Sequence, residues 1–554
     1  MYGGGRPLLA LALAVVLVAC APASPSSRSE ARGESVAKPV ARATDVPLVP
    51  TVGAGAAAEA PAAGAVRRHP EEAPLAPIDE LRIALGTDVA TLSPFFAAIF
   101  WDKSIVKHIM PSLTRADENG ALVPMLAESW SLVRDDTWQF KLRRGVKFHN
   151  GEPFTAEAIK VNVDVMLAPQ TKAAQASTFR VIQDVQVVDN YTVNLVTTYP
   201  NPVLPRTMSD FHIVAPNYLL EHGHQYVASH PVGTGPYRFV EWVKDDHLLL
   251  EANPDYWGGV PVIKRLRIRP IKEDAARVAA LLAGEVDWIW NVPYEMARQI
   301  DASGRAASKA VATARVYVLG MSTLNRRWPT AKKEVRQAIS YALDRDSLNR
   351  NIMAGYGLPL ATLFHINSFG VNRDLKPRTQ DLARARQLLA EAGYPDGFPI
   401  TMLATQGRYP KDRELAQAIV GQLAQVGITV DLRVLEFNNF LDELWSHKHP
   451  MGLWSWGDSI GDPNSMMIRM NTCGDPWSQN CLPELDSLAK AQQFEMDPQQ
   501  RAEVLRRAQD VMYDEEPNAA LFQIGQVWGI SPKMMDWYEP RADESFWFFF
   551  PVKQ

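Results

Sequence analysis

Strict alternation of apolar and polar positions marks several strands. Trp138, Phe140 and Leu142 share one side of an extended segment while Gln139, Lys141 and Arg143 share the other, and Ile428, Val430, Leu432 and Val434 repeat the pattern. Both segments are predicted to be half-buried strands. Residues 185–188 and 191–195 flank Asp189-Asn190, which predicts a hairpin with a two-residue turn. The helical period is equally plain in Val335, Ala338, Ile339, Ala342 and Leu343, spaced i, i+3, i+4, i+7 and i+8. Residues 381–392 open on an Asp suited to cap a helix and stop at Gly393 before Pro395, and residues 414–426 stop at Gly427. Thr155 is placed to cap a helix carrying Ile159, Val163 and Met166. Helix and strand alternate over residues 331–435, which implies an α/β domain, and no fixed-period repeat points to a solenoid or propeller.

The N-terminus follows a different pattern. Leu8 to Ala19 is an unbroken run of Leu, Ala and Val, too short for a hydrocarbon core that needs about 20 residues. It reads as the apolar stretch of a lipoprotein signal peptide over residues 1–19. Leu17-Val18-Ala19-Cys20 resembles the bacterial lipobox, which implies acylation of Cys20 and anchoring by more than one acyl chain. Residues 21–77 hold sixteen Ala and nine Pro without one aromatic residue, so they cannot bury enough apolar surface to order themselves. Residues 20–77 are therefore expected to be a lipid anchor and flexible linker, with the folded body starting at Ile78.

Composition then excludes several classes. The 554 residues are 47% hydrophobic and 21% charged, enough for two or three globular domains. Fifty-seven Lys and Arg against 62 Asp and Glu leave a net charge of −5, with no basic excess to hold nucleic acid. His-Glu-x-x-His is missing, and without a Gly-Lys dipeptide there is no phosphate-binding P-loop. A nucleophile elbow is not expected either. His222 with His224, and His447 with His449, lack a third ligand nearby in sequence and read as surface residues. No catalytic residue, metal or cofactor is expected. Pro231 to Pro236 is glycine-rich but lacks the lysine of a phosphate loop, so it is expected to be a rigid turn.

That glycine-rich stretch carries a resemblance. Gly233-Thr234-Gly235-Pro236-Tyr237-Arg238-Phe239, then Asn253-Pro254-Asp255-Tyr256-Trp257-Gly258-Gly259, resembles the family-5 extracellular solute-binding proteins of bacterial ABC importers, the peptide- and nickel-binding group. Leu126-Ala127-Glu128-Ser129-Trp130, the run from Leu142 through His149-Asn150-Gly151 to Ala156, Val335-Arg336-Gln337-Ala338-Ile339 and Gly393-Tyr394 agree in the same order. The resemblance implies an α/β, two-lobed periplasmic-binding-protein fold with an extra subdomain in the first lobe. Lobe I would comprise residues 78–315 plus 521–554 and lobe II residues 316–520, with the solute enclosed by hinge closure. It further implies a monomer without enzymatic activity, held outside the cytoplasmic membrane by its lipid anchor. Such a protein captures di- or oligopeptides, or a similar small solute, and delivers them to permease subunits served by cytoplasmic ATPases. Nickel chelates, opines or oligosaccharides are alternative solutes on the same fold, and a peptide sensor without a transport role is the alternative from another class.

Three segments are the candidate ligand contacts that this resemblance implies. Phe100, Trp101 and Asp102 follow the first strand and offer two aromatic faces and a carboxylate. Arg408 and Tyr409 stand just before a helix, where dipeptide-binding relatives use an arginine for the ligand carboxylate. Trp454, Trp456, Asp458 and Ser459 precede Gly461-Asp462-Pro463. Relatives place there an aspartate for the ligand ammonium, a position that alignment gives to Ser459 with Asp458 one residue earlier. Cys473 and Cys481 are expected to pair, as in some dipeptide-binding relatives, with a short-loop stabilisation of roughly 2 to 3 kcal/mol. The run Phe546 to Phe550 is expected to finish the first lobe's core.

Overall fold

The computed structural model describes residues 76–549 apart from 98, 118, 119, 458 and 459. Cys20, the leader 1–19 and almost all of the linker therefore lie outside the described residues, as do Asp458, Ser459 and Phe550.

Two long strands, Ala307–Met321 and Asn518–Ile530, run through the middle of one large sheet. They pair antiparallel from Ala307 opposite Ile530 to Gly320 opposite Asn518, and the register slips between Ala312 and Val318. Such irregularities bend a ribbon and increase its twist. Beyond Ala307–Met321 come Met451–Gly457, Phe398–Thr405 and Ile428–Leu435; beyond Asn518–Ile530 come Trp288–Ile289, Leu81–Leu85, Arg265–Pro270, His247–Ala252 and Tyr237–Val243. Leu81–Leu85 and Phe398–Thr405 each run parallel to a neighbour on either side; the second lies within the helix–strand alternation of residues 331–435 that implied an α/β domain.

Each end of this sheet supports its own core. The first gathers Leu81, Phe140, Ile159, Trp288 and Phe548; the second gathers Val335, Ile339, Leu388, Ile419 and Leu453. The helices Asp274–Leu282 and Tyr294–Ala302 pack on the long strands, and Leu281, Tyr294 and Ile300 join the second core. A separate antiparallel sheet on the first core orders Ala127–Arg134, Thr137–Leu142, Thr192–Thr197 and Ile182–Asp189, packed on the helix Ala156–Leu167. No described helix is long and apolar enough to cross a membrane.

Local expectations meet the structure closely, with small corrections. Phe140 and Leu142 are buried while Lys141 is exposed, and every second residue of Ile428–Leu435 is turned further inward than its neighbours at the start of the strand. Val335, Ala338, Ile339, Ala342 and Leu343 are all fully buried. Asp381 caps Leu382–Glu391 by accepting the Arg384 N–H, and Gly393 takes the left-handed conformation just past the helix end. The hairpin turn, however, is Asn190-Tyr191. Asp189 pairs with Thr192 and its carboxylate accepts the Tyr191 N–H, which places it at the strand end. Thr155 occupies the cap position of its helix, yet its side chain makes no capping bond. The helix before Gly427 begins at Asp412, two residues ahead of expectation, and ends at Ala424.

The glycine-rich turn is explained by contact. A Cβ on Gly233 or Gly235 would collide with the carbonyl oxygens that end the helix Phe100–Ile109. Nearby, the buried His108 donates from Nδ1 to the Ser104 carbonyl and accepts the Phe548 N–H at Nε2, 2.9 Å away. That bond, with the Tyr237 hydroxyl donating to the Phe548 carbonyl, seats the C-terminal aromatic run in the first core.

Candidate functional site

The two cores meet along a seam beside the long strands. Arg315, on Ala307–Met321, sits where several of the expected residues converge. Its guanidinium lies 5.1 Å from the Phe100 ring and 5.8 Å from the Tyr409 ring, and its Nε donates to Glu544 at 3.0 Å. Phe100 packs on the first core and Tyr409 belongs to the second, so one cation touches both sides. Gly457 opposes Arg315 in the sheet, and a side chain there would meet the guanidinium at 3.1 Å.

The loop before helix Asp412–Ala424 is organised by Asp412. Its buried carboxylate accepts the Thr405 hydroxyl and the backbone N–H groups of Gly407, Arg408, Tyr409 and Arg413. Negative charge at a helix start is favourable, and each otherwise unpaired N–H gains a partner. Tyr409 is thereby held inward with its ring edge-on to Tyr317, whose hydroxyl donates to the Pro410 carbonyl. Arg408 is exposed, its guanidinium resting 4.8 Å over the Phe437 ring.

The first segment divides. Phe100 and Trp101 are half-buried, Trp101 lying edge-on to Trp290. Asp102, expected to face the ligand, is only 1% exposed and accepts the Ala90 N–H. Burial pushes its carboxyl up to about 7, with that backbone bond opposing. Trp454 is likewise enclosed, its indole filling the space over Gly320 and Gly452 that side chains there would occupy. Strand alternation puts Trp454 and Trp456 on one face, but Trp456 lies nearer the strand end and is half-buried. It packs edge-on to Trp477, 5.3 Å away, inside the loop closed by the Cys473–Cys481 disulfide.

The loop leaving Trp456 is pinned at its far end. Asp462 accepts two hydrogen bonds of 2.7 Å from the buried Arg501 guanidinium, and Arg206, beside the first core, donates to both the Gly120 and Ile460 carbonyls. Asp458 and Ser459 stand between Gly457 and these anchors, outside the described residues. Gly457-Asp458-Ser459-Ile460-Gly461 fits the Gly-x-Ser-x-Gly spacing of a nucleophile elbow, which corrects the expectation that no such spacing occurs. An elbow needs a helix directly after its serine, whereas the next helix here, Asn464–Asn471, starts only beyond Asp462-Pro463.

The carbonyls held by Arg206 border a narrow recess. Ala116, Gly120, Arg541 and Asp543 line it from one side, and His365, Ile460 and Gly461 from the other. Arg541 pairs with Asp543 at 3.3 Å and donates to the Ala116 carbonyl. Burial would raise the Asp543 carboxyl, but Arg541 and Lys107 hold it down at about 2. Ala314 and His365 continue the lining into a smaller recess walled by Trp456, Pro463 and Met466.

Residues 121–478 match the bacterial extracellular solute-binding proteins, family 5, over that family's middle region. The chain belongs to this family. Among family-5 relatives, it is 31% identical over 358 residues to the glutathione-binding protein GsiB of Pectobacterium atrosepticum, covering 64% of this chain and 69% of the relative. HbpA2 from Haemophilus parasuis superposes with a TM-score of 0.77 at 22% identity, covering 85% of this chain and 99% of that one. DppA from Helicobacter pylori, in complex with peptide STSA, gives 0.67 at 23% identity over 82% and 94%. These two likenesses establish the two-lobed fold. As a family-5 protein the chain is an extracytoplasmic solute-binding component of an ABC importer.

Arg315, Asp412, Arg206, the Asp462–Arg501 pair and His365 were not among the expected site residues. Asp412 carried a signal, an Asp at the start of a periodic helix. Most of the others act through contacts across 39 to 254 residues, and His365 lies in a loop with no motif.

Proposed function

We propose that this family-5 protein captures a small peptide in the seam between its lobes and delivers it to an ABC permease, without catalysing a reaction. The observation that carries this reading is the recess lined from both sides, which offers a guanidinium, carboxylates and an imidazole beside an aromatic wall. A peptide presents charged ends and carbonyls to such groups. The glutathione-binding relative and the peptide complex of DppA support the same class.

In this reading Phe100, Trp101, Tyr409 and Trp456 are ligand walls, and Arg408 with Asp458 or Ser459 serves the ligand's ends. The lobes are residues 78–315 plus 521–554 and 316–520, and the protein acts as a monomer. Cys20 is the lipid anchor following a cleaved leader, with residues 21–77 as its tether.

Titration calorimetry with glutathione and a panel of di-, tri- and tetrapeptides tests the reading. Binding to wild type is expected, weakened by about tenfold to a hundredfold in Trp456→Ala; a wild type that binds none of them overturns it. Cys20→Ser should release the protein from membranes into the soluble extracytoplasmic fraction, and unchanged membrane retention would remove the anchor.

A further inference from the structure

His365 is 5% exposed, lines both recesses of the seam, and has no task in the arrangement described so far. Its backbone is fixed from two sides. The Ile366 N–H donates to the Gln523 side chain on the long strand Asn518–Ile530, and the Ser368 N–H donates back to the His365 carbonyl. A third bond orients the ring, because the Asn367 N–H donates to Nδ1 at 3.3 Å. A ring nitrogen that accepts cannot carry the proton of a neutral imidazole, so that proton sits on Nε2. Burial holds the ring down at about 4, which keeps it neutral in any ordinary medium. The Nε2–H is thus a buried donor, and it has no partner among the described residues. Native structures leave few such donors unpaired, because the loss of water is uncompensated.

We propose that the His365 Nε2–H donates to an acceptor oxygen, carbonyl or carboxylate, of the solute held in the recess, which makes His365 a specificity-determining residue. The inference rests on the peptide capture proposed above. With Nδ1 already satisfied, this side chain has only a donor to offer, so it favours an oxygen acceptor and disfavours an ammonium group at the same place. The neighbouring Arg541 is paired with Asp543, and the imidazole therefore supplies a neutral contact beside a compensated charge pair.

Calorimetry on the full chain tests it with glutathione and the di- to tetrapeptide panel, using wild type, His365→Gln and His365→Leu. Gln keeps an N–H donor at about the reach of Nε2 and should bind within about threefold of wild type. Leu removes the donor and should weaken binding about tenfold to a hundredfold. Leu binding within threefold of wild type overturns the assignment and leaves peptide capture standing, whereas a wild type that binds no peptide overturns both. Comparing trialanine with its C-terminal amide separates the two acceptors. A loss confined to the free acid identifies a carboxylate and an equal loss in both a backbone carbonyl, each in support. Should the Leu variant not fold, ring ¹⁵N–¹H spectra of wild type decide the matter. An Nε2–H signal that moves on saturation with the tightest peptide is expected. An Nδ1–H tautomer, or an Nε2–H signal that the ligand leaves unmoved, overturns the assignment.

Discussion

Two loops border the seam from the second core, and their main anchors differ. Residues 406–411 are tied chiefly to their own helix: the Asp412 carboxylate takes four backbone N–H groups and the Thr405 hydroxyl, all from residues no more than seven positions away, with distant support only where Tyr317 donates to the Pro410 carbonyl and Lys411 pairs with Glu295. The loop after Gly457 is held instead by distant partners. Asp462 is gripped by Arg501, 39 residues further along, and Ile460 by Arg206, 254 residues earlier and on the far side of the seam. A loop satisfied by its neighbours keeps its shape whether the lobes stand apart or together. A loop that takes a hydrogen bond from across the seam keeps its place only while the lobes are close, so it is coupled to the hinge motion by which two-lobed binding proteins enclose a ligand. Tyr409 is accordingly positioned by its own helix start, whereas Ile460 is positioned by a contact from the far side of the seam.

The largest effect should come from the distant anchor. Arg501→Met leaves Asp462 buried without its guanidinium, which costs about 3 to 5 kcal/mol because one charge of a buried pair is then uncompensated. Denaturant unfolding checks this, and a loss below about 1 kcal/mol would mean that the loop is held by something else. Asp412→Ala should cost less, about 1 to 3 kcal/mol, since the freed N–H groups lie in a partly exposed loop where water can replace the carboxylate. Hydrogen exchange sharpens the contrast: the amides of Gly407, Arg408 and Tyr409 should exchange faster in this variant while those around Ile460 stay unchanged. Simultaneous loosening of both loops would break the distinction between them. The smallest effect on stability, about 1 kcal/mol or less, is expected for Arg206→Ala, which removes one side chain's contacts at a half-buried position. Its peptide affinity should nevertheless fall about three- to tenfold, because the closed form loses a bond that the open form does not make. Unchanged affinity would show that the Ile460 contact does not report closure.

Much of the fold could be read without coordinates. Alternation at Trp138 to Leu142 and the helical period from Val335 to Leu343 each describe one element with one buried face; every position the helical period names is buried, while in the strand Phe140 and Leu142 are buried and Trp138 is only half-buried. The Asp189-Asn190 turn was misplaced by one residue because the Asp189 carboxylate binds the Tyr191 N–H, a local bond that no alternation pattern encodes. Of the three candidate segments, Phe100 and Tyr409 do converge, on Arg315. Asp102 and Trp454 face inward instead, since a charged or aromatic side chain near a seam looks the same in sequence whether it points to the ligand or to the core.

The amino-acid sequence by itself therefore determined the elements, their order, the Asp381 cap and the family, because each of these depends on residues within a few positions of one another or on runs of neighbouring residues. Only the tertiary structure decided which side chains meet at the seam. Arg206 reaches Ile460, Arg315 reaches Glu544, and His365 turns toward a recess shared by both lobes, through chain separations of 254, 229 and, for the strand residue fixing the histidine loop, 157 residues. Those meetings are set by the register of the two long strands and by the way each lobe's core packs against them, and neither leaves a periodic trace in the residues that they bring together.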